Sequence, residues 1–379
     1  MDKLNRIYIT EVFRSISHSS LSIFLPIFLL KTGLNVLELS FFYIVMFSSS
    51  IIISLLSLLF FMKKGNLLMV TSLFMRGVFY YSLYAFLNWH ILAIAFGLAI
   101  GLYWSVVDLA LIYLPKKRWG LKIGILYSLM NTASMLGPII GGAVVSYLGY
   151  TELFLTALFL LIPAVASALL IGDFGWQFKK IDSSFLINYF KSRAGIILLL
   201  VTPIYGVISV PGWIYQPLLL NQYAGSEFNM GIIQTLINLL VSISYLAAGK
   251  LFDLNKARSI LILALFIEGV SMVTIGFSQS IEVYTAGSWL ASFGAALIAA
   301  PFWGVISRTA FKENYNAIIF FTIIALGGSR IISLALLAPL LASGDIQTIF
   351  VILAVVIWAG TVLALFIPKH FFDNRNHSE

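Results

Sequence analysis

Leu73-Phe74-Met75-Arg76-Gly77-Val78 and Leu265-Phe266-Ile267-Glu268-Gly269-Val270 are two copies of one pattern, 192 residues apart, each with one ionisable residue at its fourth position. Pro26 and Pro217 repeat at nearly the same offset, 191 residues. Self-similarity at one long displacement marks a duplicated unit, and membrane carriers are often built this way. Outward from the two copies, breaks at charge, Gly, Pro and Asn clusters predict helices at 6–30, 36–62, 67–87, 91–114, 121–147 and 151–171. Six more follow at 195–220, 229–252, 258–278, 283–310, 314–341 and 346–368. Six helices separate the copies, so both copies cross in the same direction. Their symmetry axis then runs along the membrane normal.

Composition agrees. Of 379 residues, 60% are hydrophobic and 10% charged, against about a quarter charged in soluble domains. Each apolar run matches the roughly 20 residues needed to cross hydrocarbon about 30 Å thick. The expected fold is therefore all-α and integral to the membrane, with twelve transmembrane helices in two pseudo-symmetric six-helix bundles. The bundles fall at 1–171 and 195–379, joined by a polar linker at 172–194.

The net charge of +8 does not imply nucleic acid, because the cations occupy short loops rather than a stripe. One side holds Lys63, Lys64, Lys116, Lys117, Arg118, Lys179, Lys180, Lys250 and Arg258 among others, and the opposite side holds only Lys31. The positive-inside rule then predicts both termini cytoplasmic, with the cell membrane as the expected location. The apolar run beginning near Arg6 carries Glu11 and Arg14 and is read as a retained first helix, not a leader. There is no cysteine, which excludes disulfides and thiolate chemistry. His18, His90, His370 and His377 are scattered, and no metal or cofactor is expected.

Two local motifs add detail. Gly249-Lys250-Leu251-Phe252-Asp253, with Arg258 beyond it, follows the eighth helix. The fifth helix carries Gly124, Gly137, Pro138, Gly141 and Gly142, small residues that allow backbones to touch around a proline bend. With the 6+6 repeat, these make the whole chain resemble the major facilitator superfamily. The first motif is similar to that family's Gly-x-Leu-x-Asp loop, with Leu254 and Lys256 replacing its usual Arg and second Gly. The resemblance implies that Asp253 latches a gate. The corresponding loop of the first half, Phe61 to Asn66, has no acid. The second motif resembles the Gly-Pro signature of the family's antiporters except at Ala133, and implies a bend near the outer gate.

Charges inside a bilayer are costly and mark pathways or internal pairs. Six are expected within the spans: Glu11, Arg14, Arg76, Asp108, Glu268 and Arg330. Glu11, Arg14, Ser15, His18 and Ser22 share one face of the first helix, which should line a cavity. Glu11 and Asp108 lie about 8 to 9 Å inside the cytoplasmic end at the helical rise and are placed to share Arg14. Glu11, Asp108 and Glu268 are the proton-coupling candidates. A carboxylate that exchanges a cation for an apolar neighbourhood between two conformations takes up and releases a proton. Arg14, His18, Arg76, Arg330, Asn131, Trp213, Gln216, Gln234 and Asn238 are the substrate-contact or charge-partner candidates.

No Gly-x4-Gly-Lys-Ser/Thr loop is present, and no nucleophile or metal spacing supports an enzyme. The expectation is a secondary transporter that alternates access to a small solute. Proton-coupled export of an organic compound leads, and uptake of an organic anion or sugar is second. A non-transporting receptor of the same fold is the further alternative. A monomer in contact with lipid, a solute and protons completes the picture.

Overall fold

The structure, a computed structural model, describes residues 3–61, 64–86, 88–112, 119–172, 191, 193–253, 257–312 and 315–366. Residues 173–190 and 192 of the linker predicted at 172–194, and the basic positions Lys63, Lys116, Lys117, Arg118, Lys179, Lys180, Lys256, Lys369 and Arg375, lie outside the described residues. Leu254 does too.

Twelve spans follow one another in chain order. The first half comprises α1 (Lys3–Ser22 continuing as Leu25–Lys31), α2 (Val36–Leu56, ending in a π-helical turn Ser57–Phe61), α3 (Gly65–Tyr84), α4 (Trp89–Ile112), α5 (Trp119–Ser134 and Leu136–Tyr147) and α6 (Tyr150–Leu169). The second half comprises α7 (Arg193–Ser209 and Tyr215–Ala224), α8 (Glu227–Asp253), α9 (Ala257–Gly276), α10 (Ile281–Lys312), α11 (Tyr315–Ala342) and α12 (Ile346–Leu365). Among the described residues eleven are long and apolar enough to cross a membrane, and α7 adds a shorter apolar helix at Leu199–Ser209. The chain is a multi-pass membrane protein.

Three spans predicted as continuous are broken, each for a local reason. In α7, Pro211 and Gly212 interrupt the ladder, which resumes when the Gln216 amide donates to the Pro211 carbonyl at 2.8 Å. In α1 the chain turns at Ile23 and Phe24, and Pro26 lies in the first turn of the second piece, where its missing N–H is not needed. In α5 the break at Met135 precedes Pro138, which cannot donate to the Ser134 carbonyl four residues back.

Helix ends are closed by their own side chains. Asn35 and Glu38 form a reciprocal capping box that starts α2, with bonds of 2.9 and 2.8 Å. Glu38 therefore has a local task beyond marking topology. Asp345 accepts from the Thr348 amide at 3.0 Å and starts α12. Between α5 and α6, and between α7 and α8, the turn requires Gly149 and Gly225 at φ 114° and 70°.

In the first half α1 packs on α5 and α6, and α4 on α2 and α3; in the second, α9 packs on α10 and α12, and α7 on α11 and α12. The halves meet along two seams, α5 with α8 and α2 with α11. The first seam is backbone against backbone. A Cβ at Gly124 would meet Tyr245 and Gly249, and one at Gly142 would meet Glu227, Phe228 and Gly231. Gly137 and Gly141 face the other way, onto Ser19 and Ser20 of α1. Glycine lets α5 touch helices on both sides.

Candidate functional site: charges and aromatics between the bundles

The first-half interior is organised around α1 and α4. Arg14 donates to Glu11 Oε2 from Nε at 3.0 Å and from Nη2 at 2.8 Å. The Tyr103 hydroxyl of α4 donates to the other Glu11 oxygen, and its ring lies 4.5 Å from the Arg14 guanidinium carbon. Both carboxylate oxygens are thus engaged, and Arg14's charge is matched within one turn of helix. Arg14 is occupied by Glu11 and is not the cation that faces Asp108.

Asp108, buried on α4, has an Oδ1 with no hydrogen-bond partner. The cation whose charge falls on it is Arg330 of α11, from the opposite bundle. Arg330 donates to Ser209 Oγ at 2.8 Å and packs 5.3 Å from the centre of the Phe47 ring on α2. The space around these charges has tyrosines from three helices. Tyr127 and Tyr245 stack at 5.1 Å, and Tyr205 stacks on Phe302 at 4.4 Å. Tyr205 lies within electrostatic reach of Arg330, Asp108 and Glu268 alike.

Arg76 on α3 and Glu268 on α9 occupy the repeat-related positions and are each 2% exposed. They do not meet among the contacts described. Arg76 Nη1 has no hydrogen-bond partner, and its guanidinium carbon lies 5.8 Å from the Phe96 ring centre. Glu268 Oε2 is also unpartnered, filling the space over Gly294 of α10, with the Ala295 backbone beside it.

Trp213 follows the Pro211-Gly212 break of α7 and reaches into the first half. Its ring centre lies 6.1 Å from His18, 6.3 Å from Tyr43, 5.8 Å from Phe47 and 6.1 Å from Phe96. Further toward the same end, Lys31 of α1 pairs with Glu227 of α8 at 2.5 Å, across the bundles. Tyr150 donates to the same Glu227 oxygen at 3.4 Å. An aromatic plug and an ion pair thus close the end of the molecule that holds Lys31.

The α8 candidates Gln234 and Asn238, with Thr235 beside them, are hydrogen-bonded at the α5 seam. Asn238 donates to the Ser134 carbonyl at 3.1 Å, and Thr235 to the Met135 carbonyl at 2.8 Å. These are the carbonyls at the α5 break, and lipid offers them no alternative partner. Gln234 in turn donates to Asn238 Oδ1 at 3.0 Å. Asn131 donates to its own Tyr127 carbonyl at 2.7 Å. Gln216 is tied through its carbonyl, which accepts from Tyr284 at 3.0 Å.

Arg258 donates to the Leu365 carbonyl at the C-terminus of α12, where the helix dipole favours a cation. Asp253 ends α8, beyond Gly249, and its side chain lies outside the described residues. Tyr103, Tyr205 and Gly231 are site or seam residues that motif reading missed. A tyrosine at mid-span is the available signal for the first two, because membrane tyrosines favour the interfaces and a buried hydroxyl needs a partner.

No family profile and no curated relative matches the sequence. Solved structures do match. The chain is similar to the human organic anion transporter MFSD10 (TETRAN), with 13% identity, a TM-score of 0.67, and 95% of this chain and 98% of that chain covered. It is also similar to a bacterial homologue of the iron transporter ferroportin in an outward-facing state, with 13% identity, a TM-score of 0.69, and 96% and 99% covered. The fold is that of the major facilitator class: twelve helices in two pseudo-symmetric bundles.

Proposed function

We propose that the chain is a secondary transporter that carries a small organic solute by alternating access, driven by a proton gradient. The observation that carries this reading is the arrangement of the interface. The halves at 1–171 and 195–379 meet mainly along two seams, and ionisable side chains of both halves lie between them. Rocking about the α5/α8 seam exposes those groups to one side and then the other. Trp213 and the Lys31–Glu227 pair form the gate at one end.

Asp108 and Glu268 are the proton carriers in this reading. Each has an unpartnered carboxylate oxygen, and a carboxylate buried in lipid without a cation costs far more than the neutral acid. Asp108 exchanges its proton when Arg330 moves away with the opposite bundle. The Gly-Pro motif of α5 favours export, and the basic loops favour cytoplasmic termini in the cell membrane of a monomer. The fold shared with an organic anion transporter and a ferroportin homologue supports transport of a solute, without choosing one.

The test uses the absence of cysteine in the natural sequence. Lys31→Cys with Glu227→Cys, bridged by a short thiol-reactive cross-linker in proteoliposomes under a pH gradient, should stop solute flux, and a reducible linker should restore it on cleavage. Full flux in the cross-linked protein would defeat alternating access through this gate.

A further inference from the structure

The local excess of positive charge around Arg76, away from Asp108, points to the solute's own charge. Four ionisable groups stand together there: Glu11, Arg14, His18 and Arg76. Glu11 and Arg14 cancel, and both Glu11 oxygens are already bonded. Arg76 has no such partner. It is hydrogen-bonded to Tyr80, and the groups whose charge it meets are Tyr80, Arg14 and Tyr103, with no acid among them. Its Nη1 faces no acceptor.

His18 on α1 lies within electrostatic reach of both Arg76 and Arg14, and its Nδ1 is likewise buried without a partner. Phe96 connects the two, with its ring 6.0 Å from His18 and 5.8 Å from the Arg76 guanidinium carbon. A guanidinium buried without an anion costs several kcal/mol even after relaxation. Two unpartnered nitrogens at one place describe a site that lacks its acceptor.

We infer that Arg76 and His18 form the head-group site for a monoanionic organic carboxylate, whose apolar body lies against Phe96 and Trp213. One carboxylate oxygen accepts a charge-assisted hydrogen bond from Arg76 Nη1. The other accepts from His18 Nδ1 when the ring proton is there. One uncompensated cation selects a single negative charge. The aromatic walls supplied by Phe96, Tyr43, Phe47 and Trp213 select an apolar or aromatic body over a sugar. Trp213 comes from the opposite bundle, so a ligand held here touches both halves and connects occupancy to gate movement.

This rests on the transporter reading but fails separately from it, because it is read by binding rather than by flux. The probes are benzoate and its near-isosteres benzyl alcohol and benzylamine, titrated calorimetrically into the detergent-purified protein. Benzoate should bind, and the neutral and cationic analogues should bind at least about tenfold more weakly, as loss of a charged hydrogen bond worth about 1.5–3 kcal/mol requires. Arg76→Gln should weaken benzoate about 10- to 100-fold on the same grounds, Arg76→Lys less, and His18→Gln by a smaller factor.

Equal binding of benzylamine or benzyl alcohol, undiminished benzoate binding by Arg76→Gln, or no benzoate binding at all would each overturn the site. The charge selectivity is measured on the natural protein and stands even if Arg76→Gln fails to fold. Benzoate binding without flux of any solute would instead remove the transporter reading and leave the site intact. Cation flux without benzoate binding would do the reverse.

Discussion

Arg76 and Glu268 come from the same place in a duplicated unit and have opposite surroundings. Around Arg76, the first bundle has a salt bridge, a tyrosine that completes it, and a histidine with a free nitrogen. Around Glu268, the second bundle offers Gly294 and the Ala295 backbone on α10, Trp358 of α12 packed over neighbouring Gly269, and the hydroxyls of Tyr205 and Tyr245 within electrostatic reach. No Lys, Arg or His acts on Glu268 among the described residues. Duplication kept the backbone position while the side chains diverged into two chemistries. One half holds a cation with no acid acting on it, and the other an acid with no cation acting on it, among the described residues. In the proposed reading the ligand's head group belongs to the first bundle, and the two proton sites, Asp108 and Glu268, fall one in each.

The comparison breaks most readily at the seam on which both halves depend. Gly142→Leu or Gly231→Leu puts a side chain where Glu227 or Pro138 backbone already stands. Either should abolish a monodisperse protein on size-exclusion chromatography, whereas Gly328→Ala, which meets open space, should leave it intact.

The next test sets the two acids against each other. Glu11→Gln strands Arg14 and should lower stability by about 3–5 kcal/mol, read as a fall in thermal midpoint in detergent. Glu268→Gln keeps the shape of a side chain on which no cation acts among the described residues, and should stay within about 1 kcal/mol of the natural chain. An equal loss in both variants would show that Glu268 has a cation partner after all.

The same Glu268→Gln protein should bind solute normally and lose the dependence of flux on an imposed pH gradient, measured in proteoliposomes. Retained coupling would shift the proton to Asp108, whose Asp108→Asn variant is the control. The smallest effect belongs to the partly exposed gate pair. Lys31→Gln should cost less than about 1 kcal/mol, weakening further in its difference from the natural chain as salt is raised.

The spans were legible because apolar length and loop charge act locally, one helix at a time. The breaks at Met135 and at Pro211-Gly212 were half-legible: the prolines announced them, but only the neighbouring helix shows what satisfies the freed carbonyls. That is why Gln234 and Asn238 read as substrate-contact candidates, while the bonds from Asn238 to the Ser134 carbonyl and from Gln234 to Asn238 were not foreseen. Periodicity identifies a face and says nothing of what the face meets.

The same limit separated Asp108 from Arg14, since two helices of similar depth need not turn their charges toward each other. Arg330 could not be matched with Asp108 from sequence, being 222 residues away in the other half. Tyr103 was invisible to a search for ionisable motifs because its hydroxyl matters only through the Glu11 oxygen it reaches.

The contact between α5 and α8 has a mechanical consequence. Interlocked side chains act as gear teeth and must disengage before one helix can turn against another. Where Gly124 faces Gly249 and Gly142 faces Gly231, the touching surfaces are smooth main chain. Two smooth rods can roll through a small angle without unmeshing, so on the proposed mechanism this close backbone contact would serve as the axle.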